Sequence, residues 1–120
     1  MNARTGNVVA REVEIADTRE TRRKGLLGRR GLDTSAALVL LPCFSVHTAF
    51  MKFPIDVAFL NRDGIVVRIV HDMHAWRIAG AWHAHATIEF ASGCLKAQDV
   101  RVGDRLFLAG TAAADSVSAA

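Results

Sequence analysis

The chain has no tyrosine, and only two cysteines and two prolines stand among its 120 residues. Cys43 and Cys94 cannot form the disulfide framework of a small secreted scaffold, and no Cys-x-x-Cys is present. They read as two buried thiols, with a single bridge between them as the alternative. The longest stretch without Asp, Glu, Lys or Arg, residues 34–51, is interrupted by Pro42 and carries His47 and four hydroxyl side chains, which argues against a helical membrane span. The opening MNARTGNVVAREVE has neither an apolar core nor a small-residue cleavage site, so the chain reads as cytoplasmic. No helical His-x3-His and no Cys–His zinc spacing occurs, and no metal or cofactor is assigned.

Hydrophobic residues make up 51% of the chain, which excludes intrinsic disorder for its body. A chain of this length folds as one domain and buries about two thirds of its unfolded surface. Residues 8–109 read as that domain, and residues 1–7 and 110–120 as flexible tails. The formal charge is +3, but its distribution matters more than its total. Residues 19–30 hold six basic residues against Glu20 alone, leaving nine basic and eleven acidic residues elsewhere. The basic character belongs to one segment.

Residues 8–15 alternate in their second half, where Val13 and Ile15 stand against Glu12 and Glu14. Asp17 with Glu20 predicts a capped helix over about 18–27, with Gly28 just past its end. Leu26, Leu27 and Leu32 are its natural docking residues. Beyond it the chain reads as strands at 36–41, 45–50, 55–60, 65–70, 87–91 and 105–109, with a short helical turn near 94–100. Asn61-Arg62-Asp63-Gly64 is the clearest hairpin signal. The prediction is a mainly β (α+β) domain: a compact antiparallel barrel or sandwich closed by one basic N-terminal helix.

Four segments carry a family resemblance. They are Arg22-Arg23-Lys24-Gly25-Leu26-Leu27-Gly28-Arg29, Val46 through Leu60 with its Pro54-Ile55-Asp56 ending, Ile88-Glu89-Phe90-Ala91-Ser92-Gly93, and Gly103-Asp104. Together they resemble the bacterial and archaeal "domain of unknown function 192" family over about residues 12–108. The resemblance implies a mainly β fold of barrel or sandwich type and brings no established activity. Many relatives are exported or lipid-anchored, and many have Trp-Met where this chain places His47-Thr48.

The central motif supplies the first candidate site: His47, Thr48, Met51, Lys52 and Asp56. Asp56 lies between Ile55 and Val57, and a carboxylate in an apolar strand must find donors or face water. It either caps backbone N–H groups, binds a ligand, or serves in acid–base chemistry. Trp76 and Arg77, from a long loop, are placed to close over this site. Of the two indoles, one is expected on the core and Trp76 or Trp82 at a cavity. His71, His74, His83 and His85 read as exposed loop residues rather than a metal site, and Cys43 with His47 as packing. Arg19, Arg22, Arg23 and Arg29, with Lys24 and Arg30 beside them, offer an anion-binding face, or else a solvated one. No aromatic residue interleaves with them, so nucleic acid is disfavoured.

Three function classes follow. The leading one is a monomeric, non-enzymatic domain that binds a small ligand or a protein partner at a pocket around His47, Thr48, Met51 and Asp56. The others are a hydrolase or transferase using His47 and Asp56, with or without metal, and an anion- or nucleic-acid-binding protein using residues 19–30.

Overall fold

The computed structural model describes residues 1–108. Seven strands and two short helices follow one another: β1 (Glu12–Ala16), α1 (Arg19–Lys24), β2 (Ala36–Leu40), β3 (Ser45–His47), β4 (Ile55–Leu60), β5 (Val66–Met73), β6 (Ile78–Gly80), β7 (Ala86–Ala91) and α2 (Cys94–Ala97). Five strands form one sheet in the order β1-β2-β7-β4-β5, and β3 with β6 forms a separate ribbon. The mainly β expectation holds. No closed barrel forms, because β1 and β5 are the two open edges of the large sheet.

β4 shows why the large sheet holds. All six of its residues are buried, and they divide by the two-residue period of a strand. Ile55, Val57 and Phe59 join Leu26, Leu38, Leu40 and Met73 on one face. Ala58 and Leu60 join Phe90, Leu95, Val66 and Leu106 on the other. A strand buried on both faces reads as a continuous apolar run, and that is how 55–60 reads. The hairpin to β5 forms as the sequence predicts. Asn61 accepts the amides of Asp63 and Ile65 on its side-chain oxygen, and Gly64 adopts φ +79° where a Cβ would lie 2.9 Å from the Leu106 carbonyl.

Three expectations need correction. β1 and β2 pair in parallel, not antiparallel, because the connection from Asp17 to Ser35 is long enough to cross over. The helix spans Arg19–Lys24 rather than 18–27. Thr18 caps it through a reciprocal box with Thr21, where Asp17 and Glu20 were expected, and Gly25 ends it at φ +47°. Leu26 is therefore beyond the helix, yet it remains buried in the core while Leu27 is exposed. The strand expected at 105–109 is reduced to bridges at Arg105 and Leu106, and the tail at 110–120 lies outside the described residues.

The first seven residues, read as a polar tail, are bound into the domain. Asn2 is fully buried and bridges Leu106, and the Ala3 amide donates to the Arg105 carbonyl. Asn2 Nδ2 donates to Asp104 Oδ2 at 2.9 Å, and Arg4 Nε to Asp104 Oδ1 at 2.6 Å. The Arg4 guanidinium, with Asn2 and the Arg101 amide, holds the Asp104 carboxyl well below the usual carboxylate range. Gly103-Asp104 is thus the anchor of an N-terminal strap. Asn2→Ala removes a donor from the buried Asp104 carboxylate and the acceptor of the Arg4 amide, so it is expected to destabilise the domain by about 2 kcal/mol. Urea denaturation of wild type and variant measures this.

Candidate functional site

Asp56 is the most constrained of the expected site residues. It is fully buried on β4, and its register neighbour on β7 is Phe90. The β4–β5 pairing is irregular here: Ile55 faces Met73 and Val57 faces Val70, so His71 and Asp72 bulge opposite Asp56 alone. Asp56 Oδ1 accepts the Asp72 amide at 2.8 Å. Oδ2 accepts the amides of Gly93 and Leu95, each at 3.1 Å, at the start of α2. The His71 Nδ1 lies 3.9 Å from Oδ2. These donors compensate the buried charge, and they make Asp56 a clamp on backbone rather than a group that faces a ligand.

His47 is elsewhere. It sits exposed on β3, opposite Ile78 of β6, and no hydrogen bond or ion pair joins it to Asp56 among the described residues. The two residues expected to share a pocket thus lie on different sheets, one exposed and one buried. Met51 is half-buried against the core on the Leu26 side.

Thr48, Trp76 and Arg77 do come together. Thr48 is fully buried, and every one of its polar groups is used. Its amide donates to the Arg77 carbonyl at 2.9 Å, and its Oγ1 donates to the His74 carbonyl at 2.6 Å. The Arg77 amide donates back to Oγ1 at 2.9 Å, and the Thr48 carbonyl accepts the amides of Met51 and Trp76. Thr48 therefore staples the turn after β3 to the loop before β6. On this staple stand Phe50 and Trp76, whose rings pack edge to face with centroids 4.6 Å apart. Both hold left-handed backbone conformations, φ +62° and +64°, which bulky side chains rarely adopt.

This ribbon is the apolar surface that the sequence did not reveal. Phe44, Phe50, Trp76, Ile78 and Trp82 are all exposed, Ile78 at 83% and Trp82 at 91%. Neither indole reaches the core, contrary to expectation. The two segments that build the ribbon and its flanks, 41–55 and 73–88, contain no Asp or Glu, while Lys52 and Arg77 lie within them. The signal was available as a charge pattern: acid-free stretches in a chain with twelve acidic residues.

The remaining candidates separate. Arg22 Nη1 donates to the carbonyls of Asp17 and Leu41, and Arg29 makes a bidentate pair with Glu14 at 3.2 and 2.7 Å. Arg19 and Arg23 are exposed without such partners among the described residues, so the four arginines do not converge. His74 Nε2 lies 3.0 Å from Asp72 Oδ2, and the Ser92 hydroxyl donates to Asp72 Oδ1 at 2.6 Å. Both contacts hold the Asp72 carboxyl below its ordinary value, Ser92 most strongly. No group of three metal-ligating side chains forms among the described residues. Cys43 and Cys94 are both free, Cys94 buried and its thiol pushed up by burial and by the Asp56 charge.

One titratable residue was missed. Glu89 sits at the centre of β7, in register with Leu38 on one side and Val57 on the other, and is only 5% exposed. Above it is Gly25, where a Cβ would lie 3.5 Å from Glu89 Oε1. No sealed polar side-chain atom lacks a partner, so the carboxyl, which no described residue hydrogen-bonds, keeps a narrow contact with solvent. Burial pushes its pKa up to about 7, against the opposing charge of Arg29. The sequence signal was the one used for Asp56, a carboxylate inside an apolar strand. Two of the motif segments, around Gly25 and Glu89, thus meet at one carboxyl that can exchange a proton near neutrality.

A small, mainly β module of two sheets, with a stapled aromatic ribbon and a buried carboxyl, is what the fold and surface define. The family model of the domain of unknown function DUF192, an uncharacterized ACR, matches residues 1–108, and the chain belongs to that family. A protein of unknown function from Novosphingobium aromaticivorans has a similar structure, with TM-score 0.72 and 21% identity over 82% of this chain and 78% of that one. A candidate transcription regulator from Sinorhizobium meliloti matches at TM-score 0.72 and 22% identity, over 78% of each chain. At these identities the likeness concerns the fold. No curated protein matches the chain.

Two outcomes test these assignments. Asp56→Asn sets an amide NH2 against at least one backbone N–H, and is expected to destabilise the domain by about 3 kcal/mol. An unchanged urea midpoint would return Asp56 to the list of ligand-facing residues. For Glu89, the folded state holds its proton more tightly than the unfolded chain does. Its contribution is therefore fully present below the ordinary Glu value of 4.5 and is lost as pH rises to about 7. The loss is on the order of 3 kcal/mol. Glu89→Gln should flatten that decline and leave the variant more stable than wild type at pH 8, as read from denaturation midpoints across pH 4–9.

Proposed function

We propose that the chain is a non-enzymatic binding module whose contact surface is the β3–β6 ribbon: His47, Phe50, Trp76, Arg77, Ile78 and Trp82, positioned by Thr48. The observation that carries this reading is the exposure of both tryptophans and of Ile78 on an element held rigid by hydrogen bonds. Large apolar side chains gathered in one place on a monomer's surface mark an interaction site. Half of the chain's eight aromatic residues, Phe44, Phe50, Trp76 and Trp82, are on or beside this element, and all four are exposed.

The ribbon retains His47, Thr48, Trp76 and Arg77 from the sequence reading and dispenses with Asp56 and Met51. No acid–base chemistry is assigned to His47 and Asp56, because the carboxylate oxygens of Asp56 are occupied by three backbone amides. The arginines of residues 19–30 are not taken as the contact surface, since Arg22 and Arg29 are engaged within the domain.

Site-directed photo-crosslinking tests the reading. A photoreactive phenylalanine analogue replaces Phe50 or Ile78 in one set of variants and Arg23 in another. In total cell lysate, adducts identified by mass are expected at the two ribbon positions at least tenfold above those at position 23. Equal labelling at all three positions would overturn the proposal.

A further inference from the structure

The chemistry of the ribbon also identifies its occupant. We propose that the β3–β6 ribbon docks on the surface of an anionic lipid bilayer, with Trp76, Ile78 and Trp82 entering the headgroup region and Lys52 and Arg77 facing lipid phosphates. The inference rests on the binding reading above and names its partner.

Composition is the first argument. The acid-free segments 41–55 and 73–88 place indole, phenyl and branched aliphatic side chains beside cations and no carboxylate. Indole rings concentrate at the membrane–water boundary, where an apolar body and a polar N–H are both accommodated. Cations beside them gain from the negative potential of anionic lipids. Asp72, the carboxylate that contacts His74 at the ribbon's end, is already paired with Ser92 as well.

Shape is the second. Ile78 and Trp82, at 83% and 91% exposure, protrude from the described part of the protein. Protruding apolar groups suit a deformable bilayer, whereas a folded protein partner would have to supply shaped pockets for them. β3 and β6 have three residues each, too short to template an added peptide strand, and the Gly80 carbonyl is taken by Arg68 Nη1.

Charge disposes of two further occupants. A second copy meeting this face symmetrically would set two faces against each other whose formal charges, from Lys52 and Arg77, are of one sign. Single-stranded nucleic acid needs a cationic track along its phosphates, and Lys52 and Arg77, with Arg68 engaged on the Gly80 carbonyl, do not make one. Ile78, between the aromatics, has no face on which a base can stack.

Intrinsic fluorescence gives a direct test, because Trp76 and Trp82 are the only tryptophans of the chain and both belong to the ribbon. The intact protein is titrated in low salt with phosphatidylcholine vesicles and with equimolar phosphatidylcholine/phosphatidylglycerol vesicles. A blue shift of emission, quenching by brominated acyl chains and co-flotation are expected with the anionic vesicles, with binding at least tenfold tighter than to neutral ones. The double variant Ile78→Ser/Trp82→Ser should lose tenfold or more in partitioning while melting at the wild-type temperature, since these side chains are mostly in solvent. Arg23→Ala should partition as wild type.

Absence of any spectral change with anionic vesicles overturns the proposal, as does undiminished binding of the double variant or equal binding to neutral vesicles. The two levels of inference fail separately. Ribbon crosslinks to a protein or nucleic acid, with vesicles leaving the emission unchanged, remove the bilayer and keep the binding surface. Uniform crosslinking removes both.

Discussion

A single buried carboxylate organises this domain. Asp56 brings a negative charge into the middle of a sheet whose strand is otherwise wholly apolar, and a charge there is tolerable only if donors surround it. The donors come from two places far apart in sequence: the bulge of β5 and the start of α2, where Gly93 and Leu95 supply one amide each. Meeting the needs of one side chain thus fixes the relative position of β4, β5 and the segment after β7. Hydrophobic burial draws these elements together without direction. The carboxylate supplies the direction.

The constraint passes outward through hydrogen bonds. Because Asp56 holds the Asp72 amide, Asp72 adopts φ +50° in the bulge and turns its own carboxylate to Ser92 and His74. The His74 carbonyl then accepts from Thr48, which also binds both backbone groups of Arg77. The path from the core to the ribbon is therefore a chain of polar contacts through residues 56, 72, 74, 48 and 77. Every link except the side-chain contact between Asp72 and His74 fixes a backbone group. Motif residues that look catalytic in one dimension serve here to hold two loops in a conformation that neither would adopt alone.

The legible parts of the fold were those decided by local chemistry. The run Ile55–Leu60 and the Asn61–Gly64 turn specify a buried strand and a hairpin without help from the rest of the chain. Strand direction in β1–β2 is different, since it depends on where a long connection crosses and nothing in Val13 or Ile15 records it. The helix was overextended because Leu26 and Leu27 continue its apolar pattern, while the left-handed turn at Gly25 ends it. For the site, the sequence marks Asp56 as anomalous, but its proximity to His47 along the chain is misleading. Register sends the two to different surroundings, one inside the large sheet and one on the outside of the ribbon. Glu89 carried the same anomaly as Asp56 and was read only as part of a motif. The aromatic surface was hidden because a tryptophan among glycines and alanines looks the same in sequence whether it packs inward or stands free.

The ribbon's conformation argues against its being a by-product of packing. Left-handed backbone at Phe50 and Trp76 costs each residue on the order of 1 kcal/mol or more. Leaving a large apolar side chain in water forgoes roughly 1.5–3 kcal/mol of burial. A chain under no other demand would relax both strains by folding these rings onto the core, which is within reach: Val46 and Ala79 of the same two strands already pack there. Thr48 prevents that relaxation by satisfying all of its polar groups only when the two loops lie together. The inner face of the ribbon is thereby fastened to the domain and the outer face is held open. Rigid presentation of this kind lowers the entropy lost when a partner arrives, which is the advantage of building a contact surface on a stapled ribbon instead of a loose loop.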